Sequence, residues 1–351
     1  MINQRHYNKF SHVRSSTLSV TSIAPSLRHS AALSPNHSTT LPLYHSTTLL
    51  ALFLLLLPPL AKAGGFNSSG VGTTAAGFLK LGVGARAVSL GEAYSALADD
   101  ASAVTWNPAA LTRVSKRSAT LMHGLHLDDS FLDYGAFAQK LGHSSAWGAA
   151  FQYFSAGKIT ETDAAGTELG KFAPNDKAVS LALAHRLKSG VSLGLSGKLI
   201  QSTVLKSAQT AAADAGLLSP SYFDDQFSFA LTVSNAGGKM KFESESERLP
   251  LLIKAGAAWR AEDMAACLEV GLPVDNNPFV AFGVEDIVPV SGEWSVAGRA
   301  GINTRTLKDI DGFTGISLGL GLIHPAFSWD YGFLPFGTVG LSHRMSLSFR
   351  F

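Results

Sequence analysis

One cluster of polar side chains in this sequence has the composition of a metal site or a catalytic dyad, His126-Leu127-Asp128-Asp129. A histidine beside a carboxylate can move protons or bind a metal ion. No H-E-x-x-H or other ligand spacing accompanies it, and it falls at the end of a predicted strand, where exposed polar loops are normal. We therefore predict no catalytic residue and no metal site.

Two further patterns resemble known chemical motifs without completing them. Gly82-Val83-Gly84 is glycine-rich, but no strand-to-helix unit and no Lys-Ser/Thr pair follow it, so it does not predict a phosphate-binding loop. The serine-rich segments contain no Gly-x-Ser-x-Gly elbow. A single cysteine, Cys267, excludes a disulfide framework within one chain and a zinc site built from cysteines. We predict no cofactor.

Composition excludes other classes of protein. The chain has 351 residues, with 28 Lys+Arg against 26 Asp+Glu, and this balance does not favour nucleic acid as a partner. Charged residues make up 15%, below the usual proportion of about 25%. Apolar residues reach 46%, which is too many for a disordered chain.

The beginning of the chain differs from the rest. Residues 1–63 contain no Asp, Glu or Gly, and His37-Ser38-Thr39-Thr40-Leu41 recurs at His45-Ser46-Thr47-Thr48-Leu49. Such biased sequence has little with which to build a core. We interpret residues 1–48 as an upstream extension that is not part of the folded protein. Two explanations are that the true translation start lies downstream of Met1 at a non-Met codon, or that an upstream repeat is translated.

Residues 49–63 resemble the core and cleavage site of a secretory signal. The apolar run 49–57 is too short for a membrane helix, which needs about 20 residues, and Ala61-Lys62-Ala63 follows it. A short apolar core before an Ala-x-Ala site predicts export with cleavage after Ala63. One departure is that the nearest upstream basic residue is the distant Arg28.

The strongest pattern after Ala63 is alternation with period two. In the last segment, 339–351, apolar side chains occupy every second position and Gly, Ser or Arg occupies the others. Alternation places the two sets on opposite faces of a strand. Long strands of this kind predict an all-β fold, a transmembrane antiparallel β-barrel. A soluble β-sandwich also alternates, but its strands are usually shorter, about 5–6 residues.

About fourteen strands are predicted, an even number as bacterial barrels require. Within them, Leu193 and Leu195 should face lipid and Ser192 and Ser196 the lumen. The predicted strands are 117–126, 131–141, 145–155, 177–187, 191–204, 210–217, 226–235, 251–261, 264–272, 278–286, 293–302, 313–322, 326–334 and 339–351.

Residues 64–116 do not alternate. They are rich in Gly and Ala, and segments 75–81 and 92–99 suit short helical turns. We predict that 64–116 form a small helical and irregular plug inside a barrel of residues 117–351; the alternative is a periplasmic extension. A barrel of fourteen strands has room for such a plug, since about eight strands are already filled by their own side chains.

A family resemblance rests on this same region. The blocks that carry it are Phe78-Leu79-Lys80-Leu81-Gly82-Val83-Gly84-Ala85-Arg86-Ala87, Gly91-Glu92-Ala93-Tyr94, Ala98-Asp99-Asp100-Ala101-Ser102-Ala103 and Trp106-Asn107-Pro108-Ala109-Ala110-Leu111. They resemble the opening of the PorV/PorQ family of bacterial outer-membrane proteins, whose architecture is similar to that of the FadL hydrophobe transporters. Weaker matches continue to His343-Arg344-Met345-Ser346-Leu347.

The resemblance implies a location, a function and partners. It implies export to the bacterial outer membrane and a role in protein export or cargo handling of the type IX kind. The expected partners are outer-membrane lipid, the barrel-assembly machinery, and secretion-system components or secreted cargo, with no nucleic acid. Two alternatives are a FadL-like transporter of hydrophobic small molecules and a membrane-embedded enzyme, and the lack of a catalytic triad in the sequence disfavours the enzyme.

The candidate functional residues are structural or gating positions of the plug and an assembly signal. The charges of Arg86, Asp99 and Asp100 should be buried and should find partners among inward polar groups of the wall, such as Arg186, Lys198, Arg344 or Arg350, since a buried charge needs a partner. The plug positions are Gly84, Arg86, Gly91, Asp99, Asp100, Trp106, Asn107 and Pro108, and the assembly signal is Phe349 and Phe351.

Overall fold

The computed structural model describes residues 66–242, 245–307 and 310–351. The predicted extension (1–48) and signal segment (49–63) lie outside the described residues. No helix in the described part of the chain is both long and apolar enough to cross a membrane.

The described residues form eighteen strands joined by short connections. In chain order they are β1 (Arg117–Leu125), β2 (Phe131–Leu141), β3 (Ser145–Ser155), β4 (Ile159–Thr162), β5 (Glu168–Phe172), β6 (Asn175–Arg186), β7 (Ser192–Thr203), β8 (Ser207–Leu218), β9 (Phe227–Gly237), β10 (Lys239–Phe242), β11 (Glu245–Arg248), β12 (Leu252–Arg260), β13 (Met264–Pro273), β14 (Phe279–Ser291), β15 (Trp294–Asn303), β16 (Ile316–Ile323), β17 (Phe327–Pro335) and β18 (Leu341–Arg350).

Fourteen of these strands close into an antiparallel barrel, which confirms the predicted fold class. Each barrel strand pairs with its neighbours along the chain, and β1 closes the barrel by pairing with β18, with Leu121 opposite Leu347. The other four strands form two hairpins, β4–β5 and β10–β11, each a separate two-stranded sheet. The hairpins occupy long connections, which the sequence predicted as loops.

The period-two pattern corresponds to an apolar outer face and a polar inner face. On β7, Leu193 and Leu195 are 44% and 68% exposed, whereas Ser192 and Ser196 are 2% and 3% exposed. The predicted register of this strand is therefore confirmed. An outward apolar band and a polar interior are what a bilayer requires of a spanning barrel.

The two ends of the barrel differ in the length of their connections. At the short-turn end the connections are 142–144, 187–191, 219–226, 261–263, 292–293 and 324–326. At the long-loop end lie both hairpins and the segment 304–315. Phe351 is at the short-turn end, where its N–H donates to the carbonyl of Arg117.

Two strands are clearly longer than predicted: β14, expected over 278–286, reaches Ser291, and β8 is extended at both ends. The alanine-rich strand expected over 210–217 extends over Ser207–Leu218 as β8, and its pairing with β9 shifts between Ala213 and Ala215. Alanine has a low strand propensity, so composition alone shortens the expected strand. Pairing with β7 along its whole length, from Ser192–Leu218 to Thr203–Ser207, extends it.

Residues 66–116 form an irregular segment, which we call the interior segment. It contains two short helices, α1 (Ala85–Ser89) and α2 (Ala103–Trp106), and 3₁₀ turns at Ser68–Gly70, Gly77–Lys80 and Pro108–Arg113. The expected helical turn at 75–81 appears as the second of these 3₁₀ turns. Within 92–99 there is a single helical turn and no longer helix, with the N–H of Ala98 donating to the carbonyl of Tyr94 at 2.9 Å.

The interior segment contacts the inward face of strands around the whole barrel. Hydrogen bonds join it to β1, β7, β13, β16 and β18, so it lies within the lumen. These bonds are Ala101 N–Ser118 Oγ (3.2 Å), Thr112 Oγ1–Ser192 Oγ (2.8 Å), Ser95 N–Glu269 Oε2 (3.0 Å), Gly91 N–Ser317 Oγ (3.0 Å) and Ala85 N–Ser346 Oγ (2.7 Å).

Glycines of the wall allow this close approach. A Cβ added at Gly301 of β15 would collide with the backbone of Gly91, which itself has a positive φ of 67°. A Cβ at Gly216 of β8 would collide with the side-chain oxygen of Asn107. Inward glycines therefore let the backbone of the interior segment pack directly against the wall.

Candidate functional site

Arg86, on helix α1, joins the interior segment to the wall through its guanidinium group. Its Nε and Nη2 donate to the two carboxylate oxygens of Glu285 on β14, at 2.8 and 2.7 Å. Its Nη1 donates to Oδ1 of Asp99 at 2.8 Å. The bidentate geometry is the one in which arginine binds carboxylates most strongly.

Three further ion pairs extend this contact into a network. Arg299 of β15 donates to Glu285 at 2.6 Å and to Asp330 of β17 at 2.8 Å. Arg260 at the end of β12 donates to Asp99 at 3.0 Å. The Arg86 network thus contains three arginines and three carboxylates, and its formal charges cancel. This balance allows charges to be buried in the lumen, because each has an opposite partner.

Asp99 and Asp100 are neighbours in sequence but have opposite pKa shifts. Burial raises the pKa of Asp99, but the charges of Arg86 and Arg260 outweigh burial and hold it well below the usual value. Burial and the nearby Asp99 charge together raise the pKa of Asp100. Asp100 instead accepts hydrogen bonds from the N–H of Ser102 at 2.8 Å and from the Tyr94 hydroxyl at 3.2 Å.

A second group of buried charges lies around Trp106. Nζ of Lys254 pairs with Glu269 at 2.9 Å and lies 4.6 Å from the centre of the Trp106 ring. The indole Nε1 donates to the carbonyl of Val83 at 2.9 Å. A cation against an aromatic face in a desolvated site is a favourable contact, and it adds a further link between the interior segment and the wall.

Cavities remain on both sides of the interior segment. Toward the long-loop end, a cavity of about 140 Å³ is bordered by Leu79, Trp106, Leu252 and Phe279 together with the Lys254–Glu269 pair. Toward the short-turn end, a cavity of about 290 Å³ is bordered by charged groups of the Arg86 network and by Arg350. The lining of the first is mostly apolar, whereas that of the second is about equally polar and apolar.

The glycine and Asn-Pro positions singled out from the sequence shape the backbone of the interior segment. Gly84 has a φ of 82° and precedes α1, and Gly91 has a φ of 67°. The Asn107 side chain accepts from the N–H of Ala109 at 3.0 Å and donates to the carbonyl of Ser95 at 2.9 Å. Pro108 is the first residue of the 3₁₀ turn that follows, a position where its missing N–H costs nothing.

The expected partners of the buried charges are wrong in detail. Arg86 and Asp99 form ion pairs with each other and with Glu285 and Arg260 rather than with the four residues named as examples, although the charge of Arg350 also acts on Asp99. Lys198 pairs with Asp214 of the neighbouring strand at 3.1 Å, and Arg186 donates to the carbonyl of Thr112 at 3.3 Å. The partners named from the sequence are all basic residues of the wall, and they leave out the carboxylates of the wall that point inward.

Sequence reasoning missed Asp214, Glu269, Glu285 and Asp330. Each is 3% exposed or less on the inward face of its strand. The pattern that indicates them is a single carboxylate among the mostly small or apolar residues at the inward positions of a strand. In a barrel, such a residue points to a cation in the lumen.

The terminal aromatic residues lie at the short-turn end. Phe349 and Phe351 stack with their ring centres 6.2 Å apart, and Phe351 remains 63% exposed. The N–H of Arg117 donates to the carbonyl of Phe351 at 3.2 Å, and the N–H of Phe351 donates to the carbonyl of Arg117 at 3.0 Å. The backbone of Phe351 thus takes part in barrel closure, while its side chain is available to other molecules.

The histidine–aspartate cluster does not assemble into a dyad. His126 packs edge-on against Phe336 with ring centres 5.6 Å apart, and burial followed by the charge of Arg344 lowers its pKa to about 4. Asp128 and Asp129 are in a turn with positive φ angles of 46° and 52°. Within residues 66–242, 245–307 and 310–351, no group of three or more His, Cys, Asp or Glu side chains is placed to bind a metal ion.

Comparison with known proteins gives one family match. The model of the family described as "Type IX secretion system protein PorV" matches residues 66–261, which is more than half of the chain. The match begins with the interior segment and extends through β12. None of the curated protein sequences matches this chain.

Solved structures of similar fold are barrels that carry hydrophobic compounds. The Ralstonia pickettii toluene transporter TbuX superposes with a TM-score of 0.54 at 11% identity, covering 77% of this chain and 98% of its own. The Pseudomonas putida toluene transporter TodX superposes with a TM-score of 0.52 at 9% identity, covering 76% of this chain and 96% of its own. The CymD monoaromatic hydrocarbon channel superposes with a TM-score of 0.52 at 12% identity, covering 77% of this chain and 98% of its own. At these identities the likeness shows the fold alone.

Proposed function

Because the chain belongs to the PorV family, we propose that this outer-membrane barrel acts in protein export, handling secreted cargo at the cell surface in a type IX-like pathway. Its export there uses the signal in residues 49–63, with cleavage after Ala63. Its partners are then secretion components or secreted proteins, and the barrel itself is not an enzyme.

The observation that carries this proposal is the filled lumen. The interior segment bonds to inward residues from β1 to β18, and buried ion pairs fasten it to the wall. A barrel filled in this way has no passage for a polypeptide. Cargo is therefore expected to meet the protein at an end of the barrel rather than inside it.

The long-loop end offers the projecting surface that cargo handling needs. Every residue of β4 is exposed, as are four of the five residues of β5. Ile159 and Leu169 are exposed apolar side chains on this hairpin, at 43% and 61%. Short exposed strands with free edges and apolar side chains are suited to binding an extended peptide or the edge of another sheet.

Replacing residues 159–172 with a short Gly-Ser turn in the native host tests the proposal. We expect the barrel to assemble, with heat-modifiable migration on mild gels, while attachment of secreted proteins to the cell surface falls. The matched control inserts the same Gly-Ser residues into the tight turn 204–206 at the same end and should leave secretion unchanged. Normal secretion after complete removal of the protein would contradict the proposal.

The apolar cavity favours a second candidate function, a conduit for hydrophobic small molecules. A cavity of about 140 Å³ bordered by Trp106, Leu252 and Phe279 is close to the size of an engineered apolar cavity, about 150 Å³, that binds benzene. Uptake of a labelled monoaromatic hydrocarbon and a labelled fatty acid, with and without the protein, distinguishes the two functions. Loss of uptake with normal secretion would favour the conduit.

A further inference from the structure

Arg344, on β18, is a buried cation whose bonding differs from that of the equally buried Arg299 and of Arg86. It is 3% exposed, and no carboxylate among the described residues lies within 4.0 Å of its guanidinium. By contrast, Arg86 and Arg299 each pair with two carboxylates. A buried charge without an opposite partner is costly, so its presence calls for an explanation.

The hydrogen bonds that Arg344 makes are all to neutral groups. Nη1 donates to the carbonyl of Leu125 at 3.0 Å and to Oγ of Ser342 at 2.8 Å, while Nη2 lies 3.4 Å from Nδ1 of His126. Nε is buried and has no hydrogen-bond partner within the described part of the chain. The guanidinium is thus positioned, but it forms no ion pair with a described residue and one donor has no partner; the charge of Glu92 acts on it only from a distance.

A cavity of about 100 Å³ borders this guanidinium at the long-loop end. Its other walls are mainly apolar and include Leu81, Val88, Leu334 and Phe336. Two other charged groups also line the cavity, but each is paired: Nζ of Lys80 with Asp275, and Oε2 of Glu92 with Nη2 of Arg305 at 2.9 Å. The charges within each pair cancel, which leaves the cavity with one net positive charge from Arg344.

We propose that this cavity binds a small monocarboxylate with an apolar body, with the carboxylate on Arg344 and the body against Leu81, Leu334 and Phe336. The forked guanidinium matches a carboxylate in geometry and charge. The apolar walls favour an organic anion over phosphate or chloride, because an inorganic ion would leave them without contact and would lose more hydration. This site is independent of the cargo proposal and stands whether or not that proposal fails.

The test measures binding of benzoate to the purified full-length mature protein in detergent by isothermal titration calorimetry. Benzyl alcohol is the neutral analogue of the same shape, and inorganic phosphate is the anion without an apolar body. We expect benzoate to bind at least about tenfold more tightly than either, since a hydrogen bond to a charged group contributes about 1.5–3 kcal/mol. Equal binding of benzyl alcohol or of phosphate would overturn the proposal.

Variants of Arg344 test whether the carboxylate of benzoate binds to this residue. Arg344→Leu should weaken benzoate binding by about tenfold or more, and Arg344→Lys should have an intermediate effect because it keeps the charge but loses the fork. The matched control is Arg350→Leu, which changes an inward arginine of the same strand at the opposite end and should leave affinity unchanged. Unchanged affinity in Arg344→Leu would overturn the proposal.

A cavity-filling variant keeps the test decisive if Arg344→Leu does not assemble. Leu334→Trp adds bulk where the apolar body is placed and leaves the arginine intact, so benzoate binding should be lost while the barrel still shows heat-modifiable migration. Phe333→Trp, the neighbouring position on β17 outside this cavity, should bind benzoate as the original protein does. Benzoate binding that persists in Leu334→Trp would place the ligand elsewhere.

Discussion

The guanidinium of Arg86 meets both carboxylate oxygens of Glu285, with Nε–Oε2 and Nη2–Oε1 distances of 2.8 and 2.7 Å. Arg86 belongs to the interior segment and Glu285 to strand β14, so this contact joins the two parts of the fold. Arg299 of the next strand binds the same carboxylate, which fixes its orientation from the wall side. The pair is therefore a main anchor of the interior segment, and its loss should be visible in whether the lumen stays closed.

Removal of this anchor should open the barrel to ions. The intact mature protein should be nearly silent in planar bilayers, because the interior segment fills the lumen. Arg86→Leu leaves Asp99 and Glu285 each with a single arginine partner, a loss of about 3–5 kcal/mol for a broken buried pair, and should produce fluctuating conductance. Removal of residues 64–116 should give a larger conductance if the barrel assembles.

The control for this experiment is Lys188→Leu, which removes an exposed charge from a turn at the short-turn end and should remain silent. A large, steady conductance from the intact protein would show an open porin and would contradict the plug prediction.

Asp99 and Asp100 should respond to neutralisation in opposite ways at neutral pH. The pKa of Asp99 is lowered by Arg86 and Arg260, so its charge contributes stability that is present above its unfolded pKa of about 4 and is lost as the pH falls further. Asp99→Asn should therefore lower the melting temperature at pH 7, and the difference should shrink in acid.

The pKa of Asp100 is raised, chiefly by burial and then by Asp99. Its folded form favours the proton, so its charge reduces stability at neutral pH. Asp100→Asn should leave the melting temperature unchanged or raise it at pH 7. Thermal unfolding of both variants in detergent at pH 7 and pH 4 makes the comparison; equal losses at pH 7 would show that the two carboxyls do not differ as described.

Charge on the outward face of β7 should block membrane insertion in proportion to depth. Leu195 lies within the strand and is 68% exposed, whereas Leu205 lies in the turn beyond its end and is 71% exposed. Leu195→Arg should cost about 2–4 kcal/mol and Leu205→Arg about 0–1 kcal/mol. The measurement is the assembled fraction in outer membranes; equal yields would reject the assignment of this face to lipid. Ser196→Arg is not a suitable control for this comparison, because Ser196 is 3% exposed within a packed lumen.

The side chain of Phe351 should matter for assembly more than for the stability of the assembled barrel. Phe351→Ala keeps the backbone bonds to Arg117 and removes an aromatic ring that is mostly exposed. We expect slower assembly in cells with a nearly unchanged unfolding temperature once folded. Deletion of Phe351 also removes its backbone hydrogen bonds to Arg117, and should lower both the assembly rate and the unfolding temperature. If Phe351→Ala assembles at the normal rate, the terminal ring is not part of the assembly signal.

The sequence by itself determined the barrel, because alternation is a local property. The alternation within each strand shows which side chains face lipid, as Leu195 and Ser196 illustrate. A shift of one residue in register would turn the apolar side chains inward and the polar side chains toward lipid. The even strand count and the unequal connections followed from the same pattern. The absence of alternation in residues 66–116 likewise marked that segment as something other than wall.

Only the tertiary structure decided which charges meet. Arg86 and Glu285 are separated by 199 positions in the chain, and their pairing depends on how the interior segment turns within the closed barrel, which no local pattern encodes. The same holds for the long-range contact of Lys254 with Trp106 and for the lack of a carboxylate beside Arg344. The chemistry of a charged side chain shows that it needs a partner when it is buried. Which residue becomes that partner depends on how the barrel closes around the interior segment.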